Sequence, residues 1–306
     1  MIESRLHIGD DVASRTHGFR GLGQYLGVDP SPGRGGAGNH DLVRSRVERG
    51  EDGDRVAAVL HADHQEPARA AAELLVDCLR ERFGCGHIVR SIDDDQGYIV
   101  IGCGVTHTQI VDDERIVQYG ACLAESCGVI GGPQVRNTGT LAGNVAHALP
   151  AGDGTIGLLA LGGEVEIAGT TGTRWIPAKD TFLGPGKSVI DRQREVLTRL
   201  RFKPTGSREG SAFHRVMRPQ GLCLPIISMA ARLEVDGDTV TTASISMGPV
   251  GPVPWFAEAA AEVLVGGTAS AEQYDKAVVA ALDKVTLRAS KYRATEEYRS
   301  SMVRTF

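Results

Sequence analysis

The residues best suited to chemistry lie in one glycine-rich stretch that ends at Asn144. Its core, Gly139-Thr-Leu-Ala-Gly-Asn144, combines two glycines and a threonine with the amide of an asparagine. Glycine lets a backbone approach a ligand closely, and successive free N–H groups in such a loop suit phosphate oxygens. The Asn144 amide can both donate and accept hydrogen bonds. The pattern predicts a phosphate-binding loop, with a tight glycine turn between two elements as the alternative.

Asp153, nine residues after Asn144, is the second candidate in this stretch. It precedes an apolar run and is placed to cap a helix that begins near Gly154. The apolar residues of this helix are Ile156, Leu158, Leu159 and Leu161. The stretch therefore predicts a glycine loop followed by an apolar helix.

These residues resemble the second flavin-contacting motif of the molybdenum hydroxylases, in their FAD-binding medium subunit. The family has Thr-Ile-Gly-Gly-Asn at this place and an aspartate nine residues further on. Here Ala142 replaces the first glycine of the pair, which is a small change unless the position needs a positive φ. Gly102-Cys-Gly-Val-Thr-His107 also resembles the family's Gly-x-x-x-Thr-His turn. The resemblance begins near Glu73 and continues to the end of the chain.

The resemblance implies an α+β protein. It implies a two-subdomain FAD-binding fold of the PCMH/vanillyl-alcohol-oxidase type, followed by a C-terminal α+β domain. We expect the FAD-binding domain over residues 71–203 and the C-terminal domain over residues 204–306. Residues 1–70 form an atypical segment, rich in Gly, Arg, Asp and His, that we expect to be poorly ordered.

The FAD contacts that the resemblance implies fall on Ile130, Thr140, Leu141, Ala142, Gly143, Asn144, Asp153, Leu197 and His214. Thr140 and the backbone as far as Asn144 would face the pyrophosphate, and Asp153 would accept a hydrogen bond from a cofactor hydroxyl. Ile130 and Leu197 would be apolar walls of the flavin. His214 stands where many relatives have a lysine, and a cation there would favour the reduced flavin anion. For Ile130, Leu197 and His214, ordinary packing is the alternative.

The function implied is that of an FAD-dependent oxidoreductase subunit of a molybdenum hydroxylase complex. A small subunit with [2Fe-2S] clusters would supply electrons, and a large subunit would carry molybdopterin and the substrate site. The electrons would leave to NAD or a quinone. We expect this chain to have no metal ligands or acid–base residues of its own. The alternatives are a stand-alone flavin oxidase of the same fold and a non-catalytic remnant that has lost flavin.

The first flavin loop of the family, Ala-Gly-Gly-Thr or Ala-Gly-Gly-Gln, has no glycine here. The corresponding stretch is Ala70-Ala-Ala-Glu-Leu-Leu75, so its backbone cannot adopt a positive φ as glycine does. We therefore expect weak FAD binding or none, and poor order over residues 1–65. A diverged N-terminus or a shifted reading frame upstream of about residue 73 would explain the change.

Two other patterns in the first 70 residues are weak. Gly33-Arg-Gly-Gly-Ala-Gly38 matches a dinucleotide fingerprint, but Pro30 and Pro32 stand where a buried strand should enter the loop. His61-Ala-Asp-His64 is typical of exposed histidines more than of a metal site.

The remaining patterns place the motif among strands and helices. Helices are predicted over Pro67–Arg80, Ala121–Val129, Glu258–Val265 and Ala271–Leu287. A turn is predicted over Asp93–Gly97, and hairpins at Thr170–Pro177 and Asp236–Asp238. Strands are predicted over His87–Ile92, Tyr98–Gly102, Glu164–Ala168, Thr198–Phe202, Ser211–Arg215, Ile226–Glu234 and Thr239–Met247.

The composition is that of an ordinary globular protein with room for two or three domains in 306 residues. A net charge of −5 gives no reason to expect nucleic acid or an anionic membrane as a partner. The chain has no apolar run of about 18 residues and no apolar core of a secretory signal, so we expect a cytoplasmic protein. None of its six cysteines forms a Cys-x-x-Cys pair, which argues against zinc or iron–sulfur ligation.

Overall fold

The structure is a computed structural model that describes residues 89–169, 172–218, 224–290 and 293–306. Several predictions lie outside these residues: the helix over Pro67–Arg80, the stretch Ala70–Leu75, the order of residues 1–65, and the patterns at 33–38 and 61–64. Within the described residues, antiparallel sheets of five, four and two strands are combined with separate helical segments, which confirms the α+β class.

The first sheet is antiparallel throughout. Its strands are β1 Ile92–Asp95, β2 Tyr98–Gly102, β3 Glu164–Gly169, β4 Gly172–Pro177 and β7 Glu195–Phe202. Their order across the sheet is β1–β2–β7–β3–β4. The predicted turn over Asp93–Gly97 is wrong in its first half, because Asp93, Asp94 and Asp95 pair with β2. Only Gln96 (φ 51°) and Gly97 (φ 79°) form the turn, and positive φ at both positions is the geometry of a two-residue hairpin loop.

Six helices in the described part of the chain accompany this sheet, and the glycine-rich stretch lies among them. They are α1 His107–Asp112, α2 Glu114–Tyr119, α3 Ala121–Gly128, α4 Pro133–Arg136, α5 Leu141–Ala146 and α6 Asp153–Ala160. Every residue of α6 is buried, so this helix is enclosed on all sides rather than along one stripe. A 3-10 turn, Ala178–Thr181, and the short strands β5 Phe182–Gly184 and β6 Lys187–Ser188 follow.

The C-terminal region contains β8 Glu209–Met217, β9 Pro225–Asp236, β10 Thr239–Gly248, β11 Trp255–Phe256, α7 Glu258–Leu264, α8 Ala271–Lys284 and α9 Glu296–Thr305. Its four strands form the second sheet, which is also antiparallel and has the order β11–β10–β9–β8. The predicted strands and helices of this region are confirmed, with ends that differ by a few residues. Helix α9 has no counterpart in the sequence prediction.

Buried apolar side chains form two clusters among the described residues. The first joins the five-stranded sheet to α1, α2, α3, α5 and α6, and the second joins the C-terminal sheet to α7, α8 and α9. Phe213 of β8 and Ala230 of β9 belong to the first cluster. Because α6 packs against β9 and β10, the C-terminal sheet covers the helix that follows the glycine-rich stretch.

Candidate functional site

The loop from Gly139 to Asn144 turns into helix α5, and its threonine holds that turn. Thr140 is the N-cap, and its Oγ1 accepts a hydrogen bond from the Gly143 backbone N at 3.0 Å. Leu141 and Ala142 point into the core, whereas Gly143 is exposed. Ala142 is helical and does not have a positive φ, so its replacement of the family's glycine strains nothing at this position.

Asn144 ties this loop to the start of α6. Its Oδ1 accepts hydrogen bonds from the Thr155 backbone N at 3.0 Å and from the Thr155 hydroxyl at 2.9 Å. A Cβ added at Gly152 would lie 2.7 Å from the same oxygen, so this contact requires glycine. The amide thus brings the glycine loop and the segment that begins with Asp153 together.

Ile130 and Leu141 both approach Gly154, the residue after Asp153. A Cβ added at Gly154 would lie 3.1 Å from Leu141 Cδ1 and 3.3 Å from Ile130 Cδ1. Leu197 is buried in the same cluster, on β7, and α5 packs against that strand. The structure therefore brings the predicted apolar residues to the region of the loop, and their contact with a flavin stays a prediction.

Asp153 does not cap a helix, contrary to the sequence prediction. Helix α6 begins at Asp153 itself, and its N-cap is Gly152, which offers no side-chain hydrogen bond. The carboxylate is engaged elsewhere: Oδ2 accepts a hydrogen bond from Arg215 Nη1 at 2.6 Å. Both side chains are largely buried, with 3% of Asp153 and 9% of Arg215 exposed.

The second oxygen of Asp153 is a buried acceptor. Oδ1 has no hydrogen-bond partner among the described residues. Burial raises the pKa of the Asp153 carboxyl to about 6, and the positive charge of Arg215 opposes that shift. A hydroxyl donor would satisfy this oxygen without displacing Arg215.

His214 and Arg215 lie on opposite faces of β8, as successive strand residues do. His214 is exposed and stacks on Phe306, with ring centroids 5.7 Å apart, whereas Arg215 reaches Asp153. The structure does not bring His214 to the glycine loop. Sequence reasoning missed Arg215. The available signal was that Arg215 follows His214 in a predicted strand, where successive side chains point to opposite faces.

His107 is the other residue that sequence reasoning did not weigh. Its backbone N donates to Gly139 O at 2.9 Å, and Thr106 forms a bridge with Thr140. The imidazole is 2% exposed and its Nδ1 has no partner among the described residues. Burial, with a smaller contribution from Arg136, lowers its pKa to about 4. The Thr-His turn therefore contacts the glycine loop through backbone hydrogen bonds, and its buried imidazole is neutral.

Comparison with known proteins gives this site its family. A model of the FAD binding domain in molybdopterin dehydrogenase matches residues 85–203, and one of the CO dehydrogenase flavoprotein C-terminal domain matches residues 211–306. The chain is similar to the carbon monoxide dehydrogenase medium chain of Afipia carboxidovorans, with 31% identity over 258 residues, 81% of this chain and 88% of that one. This chain belongs to the family of FAD-binding medium subunits of molybdenum hydroxylases.

Further members of the medium-subunit family agree with this assignment. The nicotine 6-hydroxylase medium subunit of Paenarthrobacter nicotinovorans is 31% identical over 209 residues, covering 67% of this chain and 71% of that one. The solved structure of reconstituted CO dehydrogenase from Oligotropha carboxidovorans matches with a TM-score of 0.65 at 29% identity. It covers 70% of this chain and 74% of that one.

The second loop of this medium subunit fits FAD, the cofactor of its family. Gly143 presents backbone without a side chain, and an added Cβ would lie only 3.1 Å from Thr140 Oγ1. Asp153 Oδ1 is a buried acceptor that lacks a partner within the described residues. In the same part of the chain, no group of three or more His, Cys, Asp or Glu side chains could hold a metal ion. No helix described there is long and apolar enough to cross a membrane.

Proposed function

We propose that this chain carries FAD as the electron-transfer subunit of a molybdenum hydroxylase complex. Its partners would be a large subunit that binds molybdopterin and a small subunit with [2Fe-2S] clusters. Electrons would leave to NAD or a quinone in the cytoplasm. The proposal extends the family assignment to the partners and the acceptor.

FAD, when bound, supplies the redox chemistry, since it can take up electrons one at a time and pass them on singly or as a hydride. The residues of this chain would bind and orient it. Thr140 shapes the loop, and Gly143 would present bare backbone to the pyrophosphate. Asp153 would accept a hydrogen bond from a hydroxyl of the cofactor. Ile130 and Leu141 would exclude water on the apolar side of the loop.

One observation carries the proposal: Asn144 joins the glycine loop to the helix that begins with Asp153. These two segments are the parts of the family motif that resemblance assigns to the pyrophosphate and to a cofactor hydroxyl. Their hydrogen-bonded contact supports a single preorganised FAD site over two unrelated turns. A site formed before the ligand arrives costs less ordering entropy on binding.

The test is co-expression of the full chain with the genes of a molybdopterin subunit and a [2Fe-2S] subunit. We expect a stable complex with flavin absorbance, in which substrate reduces the flavin and then NAD or a quinone reoxidises it. The purified single chain should show no substrate oxidation at enzymatic rates. Asn144→Ala in the same complex is the matched variant and should lower the flavin content.

Two outcomes would contradict the proposal in different ways. Substrate oxidation by the chain alone would favour a stand-alone flavin oxidase. A complex without flavin absorbance, even after FAD is added in excess, would favour a non-catalytic remnant. Reoxidation by only one of NAD and quinone would identify the acceptor.

A further inference from the structure

The β8 strand presents one row of side chains to the helices that carry the flavin motif. Ser211, Phe213 and Arg215 are alternate residues and lie on the same face. Ser211 Oγ accepts a hydrogen bond from the Cys122 backbone N at 3.2 Å, and Phe213 is buried in the first apolar cluster. Arg215 continues this row and is the member that reaches Asp153.

Arg215 and Asp153 form a buried, charge-assisted pair that joins the C-terminal sheet to α6. The Nη1–Oδ2 distance is 2.6 Å, and hydrogen bonds between ionised groups are shorter and stronger than those between neutral groups. In a buried place such a pair fixes the orientation of both side chains, and removal of one partner leaves an uncompensated charge. Arg215 uses only one carboxylate oxygen, so Oδ1 keeps its capacity to accept.

We infer that Arg215 is a positioning residue of the flavin site, which holds the Asp153 carboxylate so that Oδ1 faces a hydroxyl of FAD. This rests on the proposed function. It follows that the C-terminal sheet takes part in FAD binding through a residue that does not touch the cofactor. The affinity for FAD would then depend on this sheet staying packed on α6.

Within the part of the chain that the structure describes, three side chains on neighbouring elements face Asp153, and each is a candidate for holding its carboxylate. They are Arg215 on β8, the Ser228 hydroxyl on β9 and the Cys127 thiol on α3. Ser228 donates its hydroxyl to Gly248 O at 2.9 Å, and burial raises the pKa of the Cys127 thiol, so that it is neutral at physiological pH. Arg215 is the only positive charge among these three.

The test measures FAD dissociation constants by titration of the full chain for Arg215→Gln, Arg215→Lys and the control Arg232→Gln. Arg232 is a matched control, since it also joins the C-terminal sheet to the preceding region, through Leu161 O at 3.2 Å and Lys203 O at 3.1 Å. We expect Arg215→Gln to weaken FAD binding roughly tenfold or more, as for a lost charge-assisted hydrogen bond. Arg215→Lys should recover part of the loss, and Arg232→Gln should change affinity less than about threefold.

Two further readouts separate positioning from general packing. In an Asp153→Asn background, Arg215→Gln should add no further loss, because its effect passes through the carboxylate. FAD affinity of the wild type should fall as Asp153 gains a proton near pH 6, and Arg215→Gln should move that fall to higher pH.

The outcomes distinguish this inference from the proposed function. Equal FAD affinity in Arg215→Gln and Arg232→Gln would overturn the inference alone. So would an Arg215→Gln effect of the same size in the Asp153→Asn background. A wild type that binds no FAD at any concentration would overturn the proposed function, and the inference with it.

Discussion

Asn144 and Thr155 are joined by two hydrogen bonds that converge on a single oxygen, Asn144 Oδ1. Thr155 is fully buried, so water cannot replace this acceptor for its hydroxyl. The contact spans eleven residues and holds the glycine loop against the first turn of α6. The geometry of the candidate FAD site therefore depends on one amide side chain.

Asn144→Ala should lower both stability and FAD affinity. The change leaves two donors of a buried residue without their acceptor, which costs about 1–3 kcal/mol in the free energy of unfolding. Chemical denaturation of the full chain measures this cost. Asn137→Ala is the matched control, because Asn137 Oδ1 accepts from Thr108 Oγ1 at 2.6 Å on the exposed surface. That variant should lose less than about 0.5 kcal/mol. Equal losses would show that the Asn144 contact is not special.

Gly143→Val should weaken FAD binding below that of the wild type and leave the C-terminal sheet folded. The added Cβ would lie 3.1 Å from Thr140 Oγ1, and the remaining methyl groups would occupy the face that the backbone presents. We expect FAD affinity to fall at least tenfold, about 1.4 kcal/mol, in a titration followed by flavin fluorescence.

Gly210→Val is the control for that substitution. Gly210 lies in β8, is exposed, and has nothing within 4 Å of an added Cβ. Valine suits an exposed strand position, so this variant should keep the wild-type affinity for FAD. Unchanged FAD affinity in Gly143→Val would mean that the loop does not face the cofactor.

Local sequence patterns predicted those helices and strands whose apolar residues are the ones that the fold buries. The apolar run Tyr98–Gly102 is a strand and the stretch near Ala121 is a helix, because short-range periodicity reports which face is buried. Asp93–Asp95 were missed as part of a strand, since three consecutive aspartates resemble a turn, yet the edge strand leaves them in solvent. The pairing of β1 with β2 stabilises this strand through backbone hydrogen bonds, and local propensity does not include that pairing.

The arrangement of the site depends on contacts that a local pattern cannot contain. Asp153 resembles a helix cap by its position, but its partner Arg215 lies 62 residues away and outweighs the local preference. The resemblance assigned a flavin contact to His214, which stays a prediction, and gave no role to Arg215, which the register of β8 directs towards Asp153. A shift of one residue reverses the face of a strand, and only the pairing of strands fixes that register.

His107 should make stability depend on pH. Its pKa is lowered from 6.5 to about 4 in the folded protein, so the unfolded chain binds the proton first as the pH falls. The stabilisation by neutral His107 is complete above pH 6.5 and is lost as the pH falls through about 4. The loss is on the order of 3 kcal/mol. Asp153 acts in the opposite sense, because its raised pKa removes stability as the pH rises through about 6.

The His107 contribution is isolated by comparing His107→Leu with the wild type at each pH. Leucine fills the buried site without a polar atom, so the variant should lack this component of the acid-induced loss. Chemical denaturation between pH 7 and pH 4 measures the difference. His147→Leu is the control, because that side chain is exposed. An identical pH dependence in wild type and His107→Leu would contradict a buried neutral imidazole.

The stretch Ala70–Leu75 leads to the last prediction, which concerns the first flavin loop of the family. Ala71 and Ala72 stand where relatives have two glycines, and their methyl groups would crowd a pyrophosphate. Several backbone hydrogen bonds of about 1 kcal/mol each would be lost from the FAD site. We therefore expect the wild type to bind FAD weakly and Ala71→Gly/Ala72→Gly to bind it at least about tenfold more tightly.

Ala57→Gly/Ala58→Gly is the matched control, since it adds the same two glycines upstream of the predicted loop. It should leave the FAD dissociation constant at the wild-type value. The comparison distinguishes the effect of a phosphate-binding turn from that of a more flexible backbone. Titration of FAD into each purified full chain gives the three constants. Limited proteolysis with and without FAD shows whether residues 1–65 become protected. Tight stoichiometric binding by the wild type, with protected residues 1–65, would refute the prediction. Such a result would mean that residues other than a glycine loop bind the pyrophosphate at this place.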